Sequence, residues 1–311
     1  MAAPRAIVCI VLVGMLVLGG GQAFGQNYPN KIIRIVTTEA GGGTDFLARL
    51  IVPGLSRGLG QQVIVDNRGL IAAEIVARAP ADGYTLLLNG STLWLVPFMR
   101  DNVPYDPVRD FSPIALATTA PNILVVHPSL PVTSVGELIA LAKARPGELN
   151  FATSGIGNSV HLAAELFKSM TGASVVRINY KGGTRALQDL MSGQVHFMFG
   201  VPASVAPHVK TGRLRALAVT TAQPSPLAPG LPTVAMAGVP GFESGATTGL
   251  FAPAGTPATL INRLNHETVR VLNTNTVKDR LFNVGVQAVG SSPEELAALI
   301  KSDMVKWGKV I

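Results

Sequence analysis

The chain has 311 residues, 48% of them hydrophobic, and 25 Lys and Arg stand against 18 Asp and Glu for a formal charge of +7. That length buries a sizeable core and accommodates two domains. The positive excess is spread thinly, with no basic run interleaved with aromatics, which argues against nucleic acid and suits a protein whose ligand is an anion.

Residues 1–25 have the layout of a secretory signal peptide. MAAPR carries the terminal amine and Arg5, an apolar run extends from Ala6 to Leu18, and small residues lead to Ala23-Phe24-Gly25. Cleavage before Gln26 and export to the periplasm are expected. The apolar run falls short of the roughly 20 residues of a spanning helix. The single cysteine, Cys9, lies inside this segment, so the mature chain carries no thiol or disulfide chemistry.

From there strands alternate with helices. Lys31–Thr38 is a β-branched run that stops at three glycines, and Phe46–Leu59 has helical apolar spacing, with Pro53 predicting a kink or an early stop. Gln62–Asn67 reads as a strand, Ala72–Ala79 as a helix and Tyr84–Leu88 as a third strand. A more irregular segment precedes the strand Asn122–His127. Ser134 and Glu137 have capping-box spacing at the head of the next helix. Strands are expected at Leu149–Ser154, Val175–Tyr180, Val195–Phe199, Leu214–Thr220 and Leu250–Ala254, and helices at Ser159–Met170 and Thr184–Met191. Thr256-Pro257 and Ser292-Pro293 each read as a hydroxyl cap followed by proline at the first helical position. Short strands alternating with helices imply an α/β protein.

Two segments run from a strand through glycines into a helix. The first is Thr38-Glu39-Ala40-Gly41-Gly42-Gly43-Thr44-Asp45; the second is Ser154-Gly155-Ile156-Gly157-Asn158-Ser159, with His161 one turn on. Glycines let the backbone approach a ligand, and the first free N–H groups of a helix favour an anion. Tight turns with ordinary helix caps account for either segment taken alone; two matched segments suit a carboxylate or phosphate held between two lobes. Asp45 is placed to pair with Arg49 in the first turn, whereas Glu39 has no partner legible in the sequence. No nucleophile–base pair, P-loop, dinucleotide fingerprint or metal-ligand spacing occurs, so no catalytic residue, cofactor or metal is assigned.

The stretches TTEAGGGTDFLARL, GQQVIVDNR, PYDPVRDFSPI, PNILVVHPSLPV and KARPGELNFATSGIGNSVHLAAELFKSMTG, followed by INYKGG and LFAPAGTP, occur in an order that resembles the periplasmic solute-binding proteins of tripartite tricarboxylate transporters (the Bordetella uptake gene type). The resemblance implies a two-lobed periplasmic-binding-protein fold of type II that binds a small carboxylate and passes it to membrane transporter subunits. It implies one domain from 26–124 with 247–311, a second from 125–246, and a monomer. Carried over residue by residue, it places Gly41 to Asp45 and Ser154, Gly155, Gly157, Asn158, Ser159 and His161 at the ligand, with Glu39, Ala40, Ser91, Trp94 and Tyr180 as further candidates. Departures occur at Thr37–Ala40, at the shortened Asn67–Ile71 loop, at Gly200 and at Thr247-Thr248. Together they weaken an acidic amino acid as ligand and favour a carboxylate with an apolar or aromatic body, or a medium-sized dicarboxylate. Two other readings stand beside it: a ligand-sensing subunit signalling to a membrane kinase, and a secreted α/β hydrolase.

Overall fold

The computed structural model describes residues 28–153 and 157–311; the expected signal peptide and Ser154, Gly155 and Ile156 of the second loop lie outside the described residues. The chain opens with β1 (Ile33–Thr37), α1 (Gly43–Leu59), β2 (Val63–Asn67), α2 (Ala72–Ala77), β3 (Thr85–Gly90), the short α3 (Thr92–Leu95) and β4 (Phe111–Ala120). It continues through β5 (Ile123–Val126), α4 (Val135–Ala144), β6 (Asn150–Thr153), α5 (Ser159–Thr171), β7 (Val176–Asn179), α6 (Gly183–Met191), β8 (Phe197–Gly200), α7 (Pro202–Lys210) and β9 (Arg215–Val219). It closes with β10 (Ala246–Pro253), α8 (Ala258–Leu272), α9 (Asn275–Asn283), β11 (Gln287–Ala288) and α10 (Pro293–Trp307).

These strands form two sheets, ordered β11-β4-β10-β3-β1-β2 and β7-β6-β8-β5-β9. In each sheet the lobe's first strand, β1 or β6, lies between two parallel neighbours. In each, the strand arriving from the other lobe, β10 or β5, is inserted antiparallel beside the third. The two lobes thus share one strand order, and the chain crosses between them at Pro121-Asn122 and again before Ala246. The loop after the first strand is the glycine loop in one lobe and the Ser154–Asn158 loop in the other. The same topological position therefore presents both candidate loops at the carboxyl ends of their strands.

Apolar periodicity builds the cores. Leu47, Ile51 and Leu55 of α1 and Leu260, Leu264 and Val271 of α8 cover one face of the first sheet. A larger cluster runs without a break from Val36, Trp94 and Phe251 in the first lobe to Leu124, Phe151 and Phe197 in the second. Ala186, Leu190 and Val205 cover the remaining face of the second sheet.

Several expectations are corrected. α1 continues through Pro53, because that proline sits on the exposed face where solvent can meet the carbonyl it leaves unpaired. The irregular segment before Asn122 contains a ten-residue strand, β4; its Pro113 lies at a register shift against Phe251, where a missing N–H is tolerated. α7 was hidden by Pro202 and Pro207 and by its Val residues. At Thr256-Pro257 the N-cap is Pro257, and the Thr256 hydroxyl donates instead to the Pro253 carbonyl at 2.8 Å. Ser134 caps α4, but Glu137 turns back to Thr133. The full capping box forms at Ser292 and Glu295.

Candidate functional site

The first loop is a turn closed by its own backbone and fastened from below. The Gly42 N–H donates to the Glu39 carbonyl at 3.3 Å, and Gly41 has φ +80°, a conformation that favours glycine. The Gly41 N–H donates to the Asp45 carboxylate at 2.8 Å. That carboxylate also accepts from Arg49 at 2.9 Å and from the Asn67 amide at 3.0 Å. The hydrogen bonds from Arg49 and Gly41 hold its pKa down at about 2, so it is ionised at any working pH. α1 has Gly42 as its N-cap, with no side-chain cap, which leaves its first N–H groups open. The Thr38 and Thr44 hydroxyls, 2.6 Å apart, flank this opening.

The second loop is held the same way by different residues. Gly157, at φ +82°, donates its N–H to Nδ1 of His161 at 3.1 Å. Asn158 caps α5 by accepting from the His161 N–H at 2.9 Å, and Asn122 at the first crossover donates to the Ser159 carbonyl at 3.3 Å. Nε2 of His161 abuts the Arg177 guanidinium at 2.6 Å. Burial, and then the Arg177 charge, push the His161 pKa below its ordinary value and keep the ring neutral, as its accepting Nδ1 requires.

Between the loops lies a cleft of about 650 Å³. Gly41, Gly42, Gly43 and Thr44 line it from one lobe, and Gly157, Asn158 and Ser159 from the other. Asn89, Ser91, Thr118 and Thr248 add polar groups, while Phe46, Leu47, Leu281, Val284 and Val286 form an apolar wall. Among the described residues, no lining side chain is charged. An anion placed here meets helix N-termini, hydroxyls and amides, and its hydrocarbon part meets the apolar wall.

Of the residues singled out from the sequence, Gly41, Gly42, Gly43, Thr44, Ser91, Gly157, Asn158 and Ser159 line the cleft. Asp45 and His161 are buried beneath the loops they anchor. Glu39 and Ala40 are exposed outside the lining, and Glu39 serves the turn through its backbone. Tyr180 points elsewhere, donating its hydroxyl to Asp189 at 3.0 Å. Trp94 is a core residue, fully buried, with its indole N–H on Asp303 at 3.2 Å and its ring 6.4 Å from that of Phe251. Ser154 and Gly155 lie outside the described residues. The apolar wall is not legible in the sequence because its members come from distant segments; in the structure Phe46, a large apolar residue in the first turn of α1, is left 40% exposed.

Residues 47–311 match the tripartite tricarboxylate transporter family receptor. The "UPF0065 protein in tcbD-tcbE intergenic region" of Pseudomonas sp. (strain P51) is 38% identical over 290 residues, covering 91% of this chain and 86% of that protein. Among solved structures, R. palustris Rpa4515 with adipate is 38% identical, with a TM-score of 0.73, covering 91% of this chain and 97% of that one. MatC from Rhodopseudomonas palustris, with bound malate, is 30% identical at a TM-score of 0.69, again covering 91% and 97%. The family is one of solute receptors, not of enzymes. With its two-lobed α/β fold and with similarity along nearly its whole length, the chain belongs to the tripartite tricarboxylate transporter receptor family.

Proposed function

We propose that this protein is a periplasmic binding protein that captures a small carboxylate with an apolar body and delivers it to a tripartite tricarboxylate transporter. The observation that carries the reading is a pair of helix N-termini, at Gly43 and Ser159, meeting across one cleft whose described lining holds no charged side chain. Each N-terminus is equivalent to about half a positive charge, so the two together match about one carboxylate. The wall of Phe46, Leu281, Val284 and Val286 suits a hydrocarbon body. The relatives Rpa4515 and MatC hold small carboxylates, adipate and malate. The signal-peptide layout of residues 1–25 supports export.

In this reading 26–124 with 247–311 and 125–246 are the two closing units, moving about the crossovers. Ligand shifts the population to the closed form because only there do both loops touch it. One chain supplies both halves of the grip, so a monomer suffices. The test is a screen of small carboxylates by thermal shift and calorimetry, on wild type and on Thr44→Val with Asn158→Ala. Binding of carboxylates, weakened at least tenfold in the double variant, is expected. Stabilisation by other compound classes with none by carboxylates would end the reading.

A further inference from the structure

The two glycine loops differ in what supports them. Among the described residues, nothing beyond the chain neighbours of Gly41 and Gly43 lies within 4 Å of where a Cβ would stand. Gly42 meets only Glu39 and Thr38 of its own loop. The first loop is therefore held from within its own lobe. At Gly157 a Cβ would stand 2.9 Å from Sδ and 3.2 Å from Cε of Met99, a residue of the first lobe. Gly157 is buried, and its φ of +82° favours glycine. Its missing side chain lets a thioether from the opposite lobe lie against the backbone of the second loop.

Met99 reaches this position because the chain behind it is fixed. It follows α3 and the short turn Val96–Phe98, and its N–H donates to the Val96 carbonyl at 2.9 Å. Its side chain packs against the apolar cluster that joins Leu93, Trp94 and Leu95 of α3 to Val160 and Leu162 of α5. Gly157 lines the cleft and Met99 does not, so Met99 reaches a ligand only through Gly157. Within its own lobe the Gly157 N–H is held by Nδ1 of His161, and Met99 adds a second hold from across the gap. An unbranched, polarizable thioether adapts to an irregular space of this kind. The contact is also short in range: a gap of about 1 Å forfeits about half of its attraction.

We propose that Met99 is a positioning residue for carboxylate capture, holding Gly157 from the opposite lobe so that the second loop takes its binding shape only when the lobes meet. The inference rests on the carboxylate reading above and deepens it. The first loop is formed in either arrangement of the lobes and takes the carboxylate first. The second loop is completed as Met99 reaches Gly157, so binding and lobe approach become one event. Affinity then depends on a side chain outside the cleft lining.

The test reads the loop first without ligand and then with it, on wild type, Met99→Ala, Met99→Val and Met99→Leu, with a thermal melt of each. Valine keeps the apolar base of the side chain but ends short of the δ position; leucine restores a carbon there. In protein carrying isotope-labelled glycine, hydrogen exchange at the Gly157 amide is expected to quicken about tenfold in Met99→Ala and Met99→Val. The Gly41 amide, anchored by Asp45 within the first lobe, is expected to keep its wild-type rate. By calorimetry, adipate and hexanoate are each expected to lose about tenfold in affinity in the same two variants, since both present a carboxylate to the loops. Met99→Leu is expected to return both readouts close to wild type. Gly41 and Gly157 quickening together would mark a general loss of stability and overturn the proposal. Unchanged Gly157 exchange in Met99→Val, or unchanged affinity beside quickened exchange, overturns it as well. If neither acid binds wild type, the carboxylate reading fails instead, and the exchange comparison still decides whether Met99 holds the loop.

Discussion

The side chain of Asp45 reaches back from the first turn of α1 to the backbone N–H of Gly41, 2.8 Å away, and so locks the turn whose glycines line the cleft. It is a carboxylate beside the proposed anion site that does not line the cleft. Its charge is spent on Arg49, Asn67 and Gly41. The amide variant Asp45→Asn keeps the size but loses the charge-assisted bonds, and about 1–3 kcal/mol of stability is expected to go with them. Carboxylate affinity falls in parallel because the loop loosens. The native group titrates at about 2 against an ordinary 3.8. A depressed acid stabilises the fold above its unfolded value, and that contribution drains away as pH falls from about 4 towards 2. Melts across this range are expected to show a steeper decline in wild type than in Asp45→Asn.

The second loop loses stability in the same direction, as pH falls, but through a group that must stay neutral and over a less acid window. His161 must be neutral for Nδ1 to accept from Gly157, and Arg177, Glu165 and Lys168 are the charges that face it. A base whose folded pKa is lowered leaves the unfolded chain binding the extra proton, so its stability contribution is complete above the ordinary value of 6.5 and is lost as pH falls below it. Ligand affinity is expected to decline over the same window. His161→Asn offers an amide oxygen near the Nδ1 position without titrating, and flattens this pH profile. His161→Phe removes the anchor and weakens binding at every pH. A wild-type profile as flat as that of His161→Asn between neutral and mildly acid pH refutes the role.

Gly245 lies where the two crossovers touch. A Cβ there would stand 2.8 Å from the Ala120 carbonyl oxygen, and backbone cannot swing aside as a side-chain tip can. Gly245→Ala is expected to cost about 1–3 kcal/mol and to alter the angle between lobes. Small-angle scattering with and without ligand reads the second effect; an unchanged profile with unchanged affinity removes the crossovers from the closing motion.

Trp94 provides a control in the core. Trp94→Phe leaves Asp303 Oδ2 without its indole donor and is expected to lower stability by about 1–3 kcal/mol, while hexanoate binding is unchanged, because the ring lies outside the cleft. A large loss of hexanoate affinity at full stability would instead put the ring at the ligand.

Much of this was legible along the chain because the features are local. The glycine runs, the Asn158 cap and the Ser292 box each depend on residues within a turn of one another. Periodicity likewise located β1, β3, α5 and most other elements to within a few residues. What was not legible depends on partners far away. β4 carries a proline that only its bulged pairing with β10 makes acceptable. The apolar wall joins Phe46 to Leu281, Val284 and Val286, more than two hundred positions later. Glu39 stands beside the glycines with no partner legible in the sequence, and in the structure its carbonyl closes the turn while its side chain is exposed.

The shared strand order of the two sheets puts each half of the grip on a separate rigid platform. If a carboxylate is gripped from both loops, as proposed above, the ligand acts as a gauge of the gap between platforms. In the proposed reading, substitutions at Asn122 or Gly245, which lie outside the cleft lining, then become affinity mutations. On that reading the geometry of the crossovers would set how tightly the protein binds, and the chemistry of its loops what it binds.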